Sequence, residues 1–194
     1  MVVQSAMLAI VDHIRQIVDH LDERQLNQML EDIKVADRIF LMGAGRSGLA
    51  VRAFGMRLVQ LGLKAYIVGE TITPAIAEND LFIAVSGSGE TSTVANGARI
   101  SKKVGARVLA ITSYPESTVG KLADDVVVIK GRTKIDVEKD HVKSQLEGKH
   151  STLTPLGTLF EDTVMVFFDG AIAGLMNVYG AGETDMKRRH TSLE

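Results

Sequence analysis

Five hydroxyl-bearing residues fall within eight positions: Ser86, Ser88, Thr91, Ser92 and Thr93, interleaved with Gly87, Gly89 and Glu90. They follow the apolar run Leu81–Val85, which reads as a strand, and they lead into a segment with helical spacing. Glycine lets a backbone curl until its amide N–H groups converge, and a helix N-terminus adds its positive end. Hydroxyls at the same place donate to the terminal oxygens of a bound anion. Residues Ser86, Gly87, Ser88, Gly89, Glu90 and Thr91 therefore form a candidate cradle for a phosphate monoester. Turn formation and helix capping also use serine and threonine, but one cap needs one hydroxyl rather than five.

A second glycine loop, Gly43-Ala44-Gly45-Arg46-Ser47-Gly48, follows the apolar residues 39–42. It satisfies the G-x-G-x-x-G pattern, which raises a dinucleotide-binding reading with Glu70 near the place of a ribose-binding acid. The same glycines also serve a plain tight turn from strand to helix. Gly45, Arg46 and Ser47 are candidates to meet a polyhydroxylated ligand, with Arg46 either adding charge to the site or facing solvent.

These loops need elements to position them. Apolar residues at helical spacing over 5–33 predict one or two amphipathic helices. Strands are expected at 38–42, 64–68, 81–85, 107–111 and 125–129, alternating with helices at 47–61, 91–104 and near 117–122. This rhythm predicts an α/β fold with a parallel sheet; the expected arrangement is a three-layer α/β/α sandwich of five strands in the flavodoxin-like order 2-1-3-4-5, with helices at both termini. In that order the loops after the first and third strands flank the switch point and face one crevice. The chain reads as one domain over 1–194: a helical segment over 1–34, the α/β core over 35–130, a polar flap or loop over 131–154, and a last helix and tail over 155–194. That helix is expected from Pro155, with proline in the first turn, to about residue 178. Apolar residues on nearly all its sides point to burial against the sheet and against another subunit.

Composition narrows the partners. The 194 residues carry 22 basic and 24 acidic side chains without a long block of one sign, so neither nucleic acid nor an anionic membrane is indicated. Asp12, His13 and Arg15 break the apolar start too early for a membrane span. With no cysteine there is no disulfide framework and no thiolate metal site, which suits a cytoplasmic protein. No cluster of His, Asp and Glu has metal-ligand spacing, His13 and His20 being seven apart on the first helix, so no metal and no cofactor is expected.

The segments FLMGAGRSG, AVSGSGET, SKKVGARVLAIT, TPLGTLFED and RRHTSLE together resemble the 6-phospho-3-hexuloisomerases of the SIS (sugar isomerase) family. The resemblance runs from the N-terminal helices to the last residues. It departs where Thr154-Pro155-Leu156-Gly157 stands in place of a Gln-Pro-Met-Gly start to the last helix, and where the preceding charged loop is long. It implies a SIS-type sandwich and interconversion of 3-hexulose 6-phosphate with fructose 6-phosphate, without metal or nucleotide, as a homotetramer of the ribulose monophosphate route of formaldehyde fixation. Moving a carbonyl between neighbouring carbons through an enediol requires a proton shuttle. The resemblance assigns that role to Glu161, which without it reads sooner as the polar edge of a helix with Asp162, or as meeting a basic group across an interface; its neighbours Phe160 and Val164 would disfavour its charged form. His190 is the second catalytic candidate, since an imidazole passes protons near neutrality. Its neighbours Lys187, Arg188 and Arg189 also fit a solvated basic tail. In related SIS isomerases a histidine reaches into a neighbouring subunit's site, which makes action in trans an expectation to test. Two other functions fit the same loops: a module that senses a sugar phosphate without turning it over, and another ketose or aldose phosphate isomerase of the family.

Overall fold

The computed structural model describes residues 1–131 and 154–190; the expected flap lies almost wholly outside them, as do the last four residues. Two helices lead, α1 over Val2–Val18 and α2 over Glu23–Val35, separated by a turn in which Asp22 caps α2 by accepting from the N–H groups of Arg24 and Gln25. Strand β1 (Ile39–Gly43) then feeds α3 (Arg46–Leu61), and β2 (Ala65–Ile67) precedes β3 (Leu81–Val85). Helix α4 (Ser92–Val104), strand β4 (Arg107–Thr112), the short α5 (Thr118–Leu122) and strand β5 (Asp125–Val128) complete the sheet region. After it come α6 (Thr158–Tyr179) and a short α7 (Glu183–Arg188) inside the stretch read above as a tail.

All strand pairs are parallel, as the alternating pattern predicts, and the order is the expected β2-β1-β3-β4-β5. Side chains of a strand point to alternate faces, so the sheet separates two cores. On one face Leu41, Ile83 and Leu109 pack with Met29, Ile33, Phe54, Leu58, Phe160 and Phe168 from α2, α3 and α6. On the other, Phe40, Phe82, Ala84 and Val108 pack with Val94, Ala98 and Val119 from α4 and α5. All five residues of β3 are buried, the mark of a central parallel strand covered on both faces.

The last long helix begins later than Pro155. Gly157 stands at φ 88, a left-handed conformation that a right-handed helix cannot include, so 155–157 forms a turn and α6 starts at Thr158. The helix is seated by a parallel stack of Phe168 on Phe54 of α3, with ring centroids 4.2 Å apart. Both rings are buried. Truncating Phe168 to alanine should lower the free energy of unfolding in urea by about 3–5 kcal/mol, the range for losing a core phenylalanine; a change well under that would show that α6 is not held by this stack.

Candidate active site

The loop after β1 enters α3, the loop after β3 enters α4, and the first turn of α6 closes the third side. Gly45, Arg46, Ser47, Ser86, Gly87, Ser88, Glu90, Thr91, Gly157 and Glu161 thereby line one cleft of about 630 Å³. It lies at the C-terminal ends of the central strands, at the point where the strand order reverses.

Both turns into the cleft demand glycine. A Cβ on Gly43 would sit 2.9 Å from the Ser47 carbonyl, and one on Gly48 would sit 2.9 Å from the Gly43 oxygen, so β1 and α3 meet backbone to backbone. Gly89 has φ 66, and Ser117 fills the space that a side chain there would occupy. Gly89 thus stands behind the cleft and shapes it.

Within the phosphate-type loop the hydroxyls have different employments. Ser86 is 3% exposed; its Oγ accepts from the Gly89 N–H at 3.1 Å and lies 2.9 Å from Thr91 Oγ1. Ser88 Oγ accepts from the Glu90 N–H at 3.2 Å. The Glu90 carboxylate turns away from the cleft toward α5, accepting from the Thr118 hydroxyl at 2.6 Å and the Thr118 N–H at 2.8 Å. These bonds, the hydroxyl's foremost, hold the Glu90 carboxyl below its usual range.

Helices α3, α4 and α6 all begin at this cleft. Their N-caps are Gly45, Thr91 and Gly157, and none makes a side-chain cap hydrogen bond, the Thr91 hydroxyl being engaged with Ser86. By contrast α2 and α5 are capped by Asp22 and Ser117. First-turn N–H groups have no intrahelical acceptor, and the macrodipoles place positive ends at the same spot. An arrangement of this kind suits an anion.

Across from the loop, Glu161 sits in the first turn of α6 with its side chain 18% exposed. Arg46 bridges from α3, its Nε 2.7 Å from Glu161 Oε2 and its Nη2 donating to Asp162 Oδ1 at 2.6 Å. The first contact is a close ion pair without hydrogen-bond alignment, for among the described residues Glu161 Oε2 is buried with no hydrogen-bond partner. Gly157 makes room for this carboxylate: a Cβ there would lie 3.0 Å from Glu161 Oε1. The surroundings of Glu161 are thus apolar on the Phe160 side and cationic on the other, rather than apolar alone. Arg46 belongs to the cleft, and its partner Asp162 is a residue whose adjacency to Glu161 was its only signal in the sequence.

His190 lies elsewhere. Arg189, beside it, packs its guanidinium on Gly62, the residue that caps the C-terminal end of α3. Arg46 begins that helix, and 16 residues of α helix span about 24 Å, so the chain's own His190 is at the far end of α3 from the cleft. Glu70, the candidate ribose acid, is paired with Arg52. Among the described residues no group of three or more His, Asp or Glu could hold a metal ion, and no helix is long and apolar enough to cross a membrane.

Residues 32–146 match the SIS domain, more than half of the chain. The chain belongs to the SIS-domain family. Over 96% of its length this SIS protein is 44% identical to a protein of Aeropyrum pernix, covering 88% of it. It is 37% identical to the 3-hexulose-6-phosphate isomerase of Bacillus subtilis over 95% of both chains. A Methanococcus jannaschii protein whose crystal structure infers a function of 3-hexulose-6-phosphate isomerase superposes with a TM-score of 0.79 at 30% identity, with 100% of each chain covered. The likeness to named isomerases along nearly the whole chain makes this SIS protein an isomerase.

Two of the three glycines with positive φ at this site, Gly89 and Gly157, separate its halves. Gly89→Ala should weaken binding of inorganic phosphate by roughly tenfold or more in a calorimetric titration, because a side chain there forces the loop off Ser117. Gly157→Ala, which strains only the Glu161 side, should leave that affinity within about twofold. Equal losses in both variants would contradict this division.

Proposed function

We propose that this SIS protein interconverts D-arabino-3-hexulose 6-phosphate and D-fructose 6-phosphate through an enediol, with Glu161 carrying the proton. The observation that supports this most directly is the placement of the Glu161 carboxylate at the rim of a cleft whose opposite wall is the Ser86–Thr91 loop and whose floor is a set of uncapped helix N-termini. The similarity to named 3-hexulose-6-phosphate isomerases favours the same substrate pair.

The phosphate of an open-chain hexulose binds the loop, held by backbone N–H groups, the Ser88 hydroxyl and the positive ends of α3 and α4. Glu161 takes the proton from C2, and the released electron pair forms the C2=C3 double bond while the former C3 carbonyl oxygen gains a proton. The neutral carboxyl then returns its proton to C3 as the C2 hydroxyl loses its own, leaving a carbonyl at C2. No atom is gained or lost and no external oxidant is needed. During the step, negative charge leaves the carboxylate and builds on the substrate oxygens. Arg46, already 2.7 Å from that carboxylate, stands beside both locations and offsets the charge in either.

Glu161→Gln keeps the shape and removes the base. Turnover of 3-hexulose 6-phosphate should fall by about 10²–10⁴ while fructose 6-phosphate still binds. An unaltered rate would reject Glu161 as the base. Binding of fructose 6-phosphate by the native protein with no turnover at all would instead favour a sensing module.

The transfer between O2 and O3 asks for a second group that titrates near neutrality, and His190 is assigned to it from a second copy of the chain, in a homo-oligomer, because its own chain holds it at the far end of α3. The ribulose monophosphate route, cytoplasmic location and tetrameric assembly go with this reading. Mixing copies that carry Glu161→Gln with copies that carry His190→Asn decides the matter. Each mixed pair then owns one site with both native residues, and turnover should reappear although each variant alone is impaired. No recovery in verified mixed oligomers would place His190 outside the reaction.

A further inference from the structure

A carboxylate is a poor neighbour for a phosphate, yet Glu90 lies in the middle of the loop that faces the anion site and lines the cleft. It is exposed, and its hydrogen bonds favour its ionised form. Both of its oxygens are nevertheless committed to the hydroxyl and the N–H of Thr118, a residue outside the cleft lining, at 2.6 and 2.8 Å. The same short segment grips the loop at two further points. The Val119 N–H donates to the Gly89 carbonyl at 2.9 Å, and Ser117 abuts the bare α-carbon of Gly89. Behind it the Ser113 N–H donates to the Gly87 carbonyl at 3.1 Å. The back of the loop is therefore tied to the chain between β4 and β5, and its acidic side chain is one of the ties.

We propose that Thr118 is a positioning residue that parks the Glu90 carboxylate away from the bound phosphate, turning the one acid of the loop from a source of repulsion into a brace. The inference rests on the sugar-phosphate reading of the cleft and adds to it a residue 28 positions away from Glu90 that touches no substrate. Removing the Thr118 hydroxyl leaves Glu90 charged, held by one bond instead of two, on a side chain with rotatable bonds. Its carboxylate can then turn toward the cleft and oppose the anion.

A positioning role of this kind has a signature that a merely structural contact lacks, because the harm comes from the Glu90 charge. Inorganic phosphate and fructose 6-phosphate are titrated calorimetrically into the full chain carrying Thr118→Val, Glu90→Gln, both, or Thr118→Ser. Thr118→Val should weaken phosphate binding by about five- to tenfold, and the loss should shrink in high salt as the repulsion is screened. The double variant should recover to within about twofold of Glu90→Gln alone, and Thr118→Ser should bind like the native protein. Thr118→Ala replaces the valine variant should that one fail to fold. The proposal is overturned if the double variant binds as weakly as the single Thr118 variant, or if removal of the hydroxyl leaves affinity unaltered. A native protein that binds both ligands but does not turn over 3-hexulose 6-phosphate would sink the isomerase assignment and leave this inference standing. A native protein that binds neither would sink both.

Discussion

The backbones of β1 and α3 meet at Gly43 and Gly48 with no space for a Cβ, and the direction of α3, with Arg46 and Ser47 at its start, depends on that approach. Because the strands run parallel, their C-terminal ends share one rim, and each following helix starts there. Close contact at the β1–α3 turn sets the direction in which α3 leaves the sheet, and so where the N–H groups after Gly45 point. Helix α6 repeats the arrangement from outside the sheet, packed on α3 through Phe168 and against Gly87 through Phe160, with its first turn facing the same space. Any side chain at Gly87 would meet the Phe160 ring at 2.9 Å, so the loop and α6 are also in direct contact.

Charge in the cleft is distributed with the same economy. The carboxylates of Glu90 and Asp162 each have an aligned hydrogen-bond donor, Thr118 for one and Arg46 for the other. Glu161 is the exception, close to a guanidinium yet, among the described residues, without a hydrogen bond at its buried oxygen.

Much of this was legible beforehand, and the parts that were not share a cause. Alternating short apolar runs and helical spacing predict the parallel sheet, since parallel strands need crossovers and crossovers show as periodicity; the strand order is not contained in that pattern. The two glycine loops are local motifs and could be placed on one crevice from topology alone. What the sequence hides is orientation across long separations. Glu90 reads as part of the loop, but its direction is decided by Thr118, and Arg46 was open between solvent and site because its partners Glu161 and Asp162 lie 115 and 116 residues away. Pro155 reads as a first-turn proline only until the left-handed Gly157 is seen, a backbone angle that P-L-G-T does not announce. The basic residues before His190 fit a solvated tail equally well, and only the packing of Arg189 on Gly62 shows which end of α3 the tail occupies.

The loop and the carboxylate stand on different elements, and this bears on which carbon is deprotonated. A phosphate bound at Ser86–Thr91 fixes one end of an extended sugar phosphate, and the carbon beside Glu161 is then set by the offset between the loop and the first turn of α6. That offset is not adjustable within the loop, whose back is tied to α5 and β4. It is determined instead by the Phe54–Phe168 stack, by Phe160 on Gly87, and by the turn at Gly157 that admits the Glu161 side chain. In the proposed reaction, selectivity between neighbouring carbons, about 1.5 Å apart, is therefore a property of how α6 packs on the core, because a shift of that size in a positioned group is enough to lose catalysis. A phosphate loop of the same sequence joined to a helix seated differently would grip the same ligand and act on another carbon, or on none.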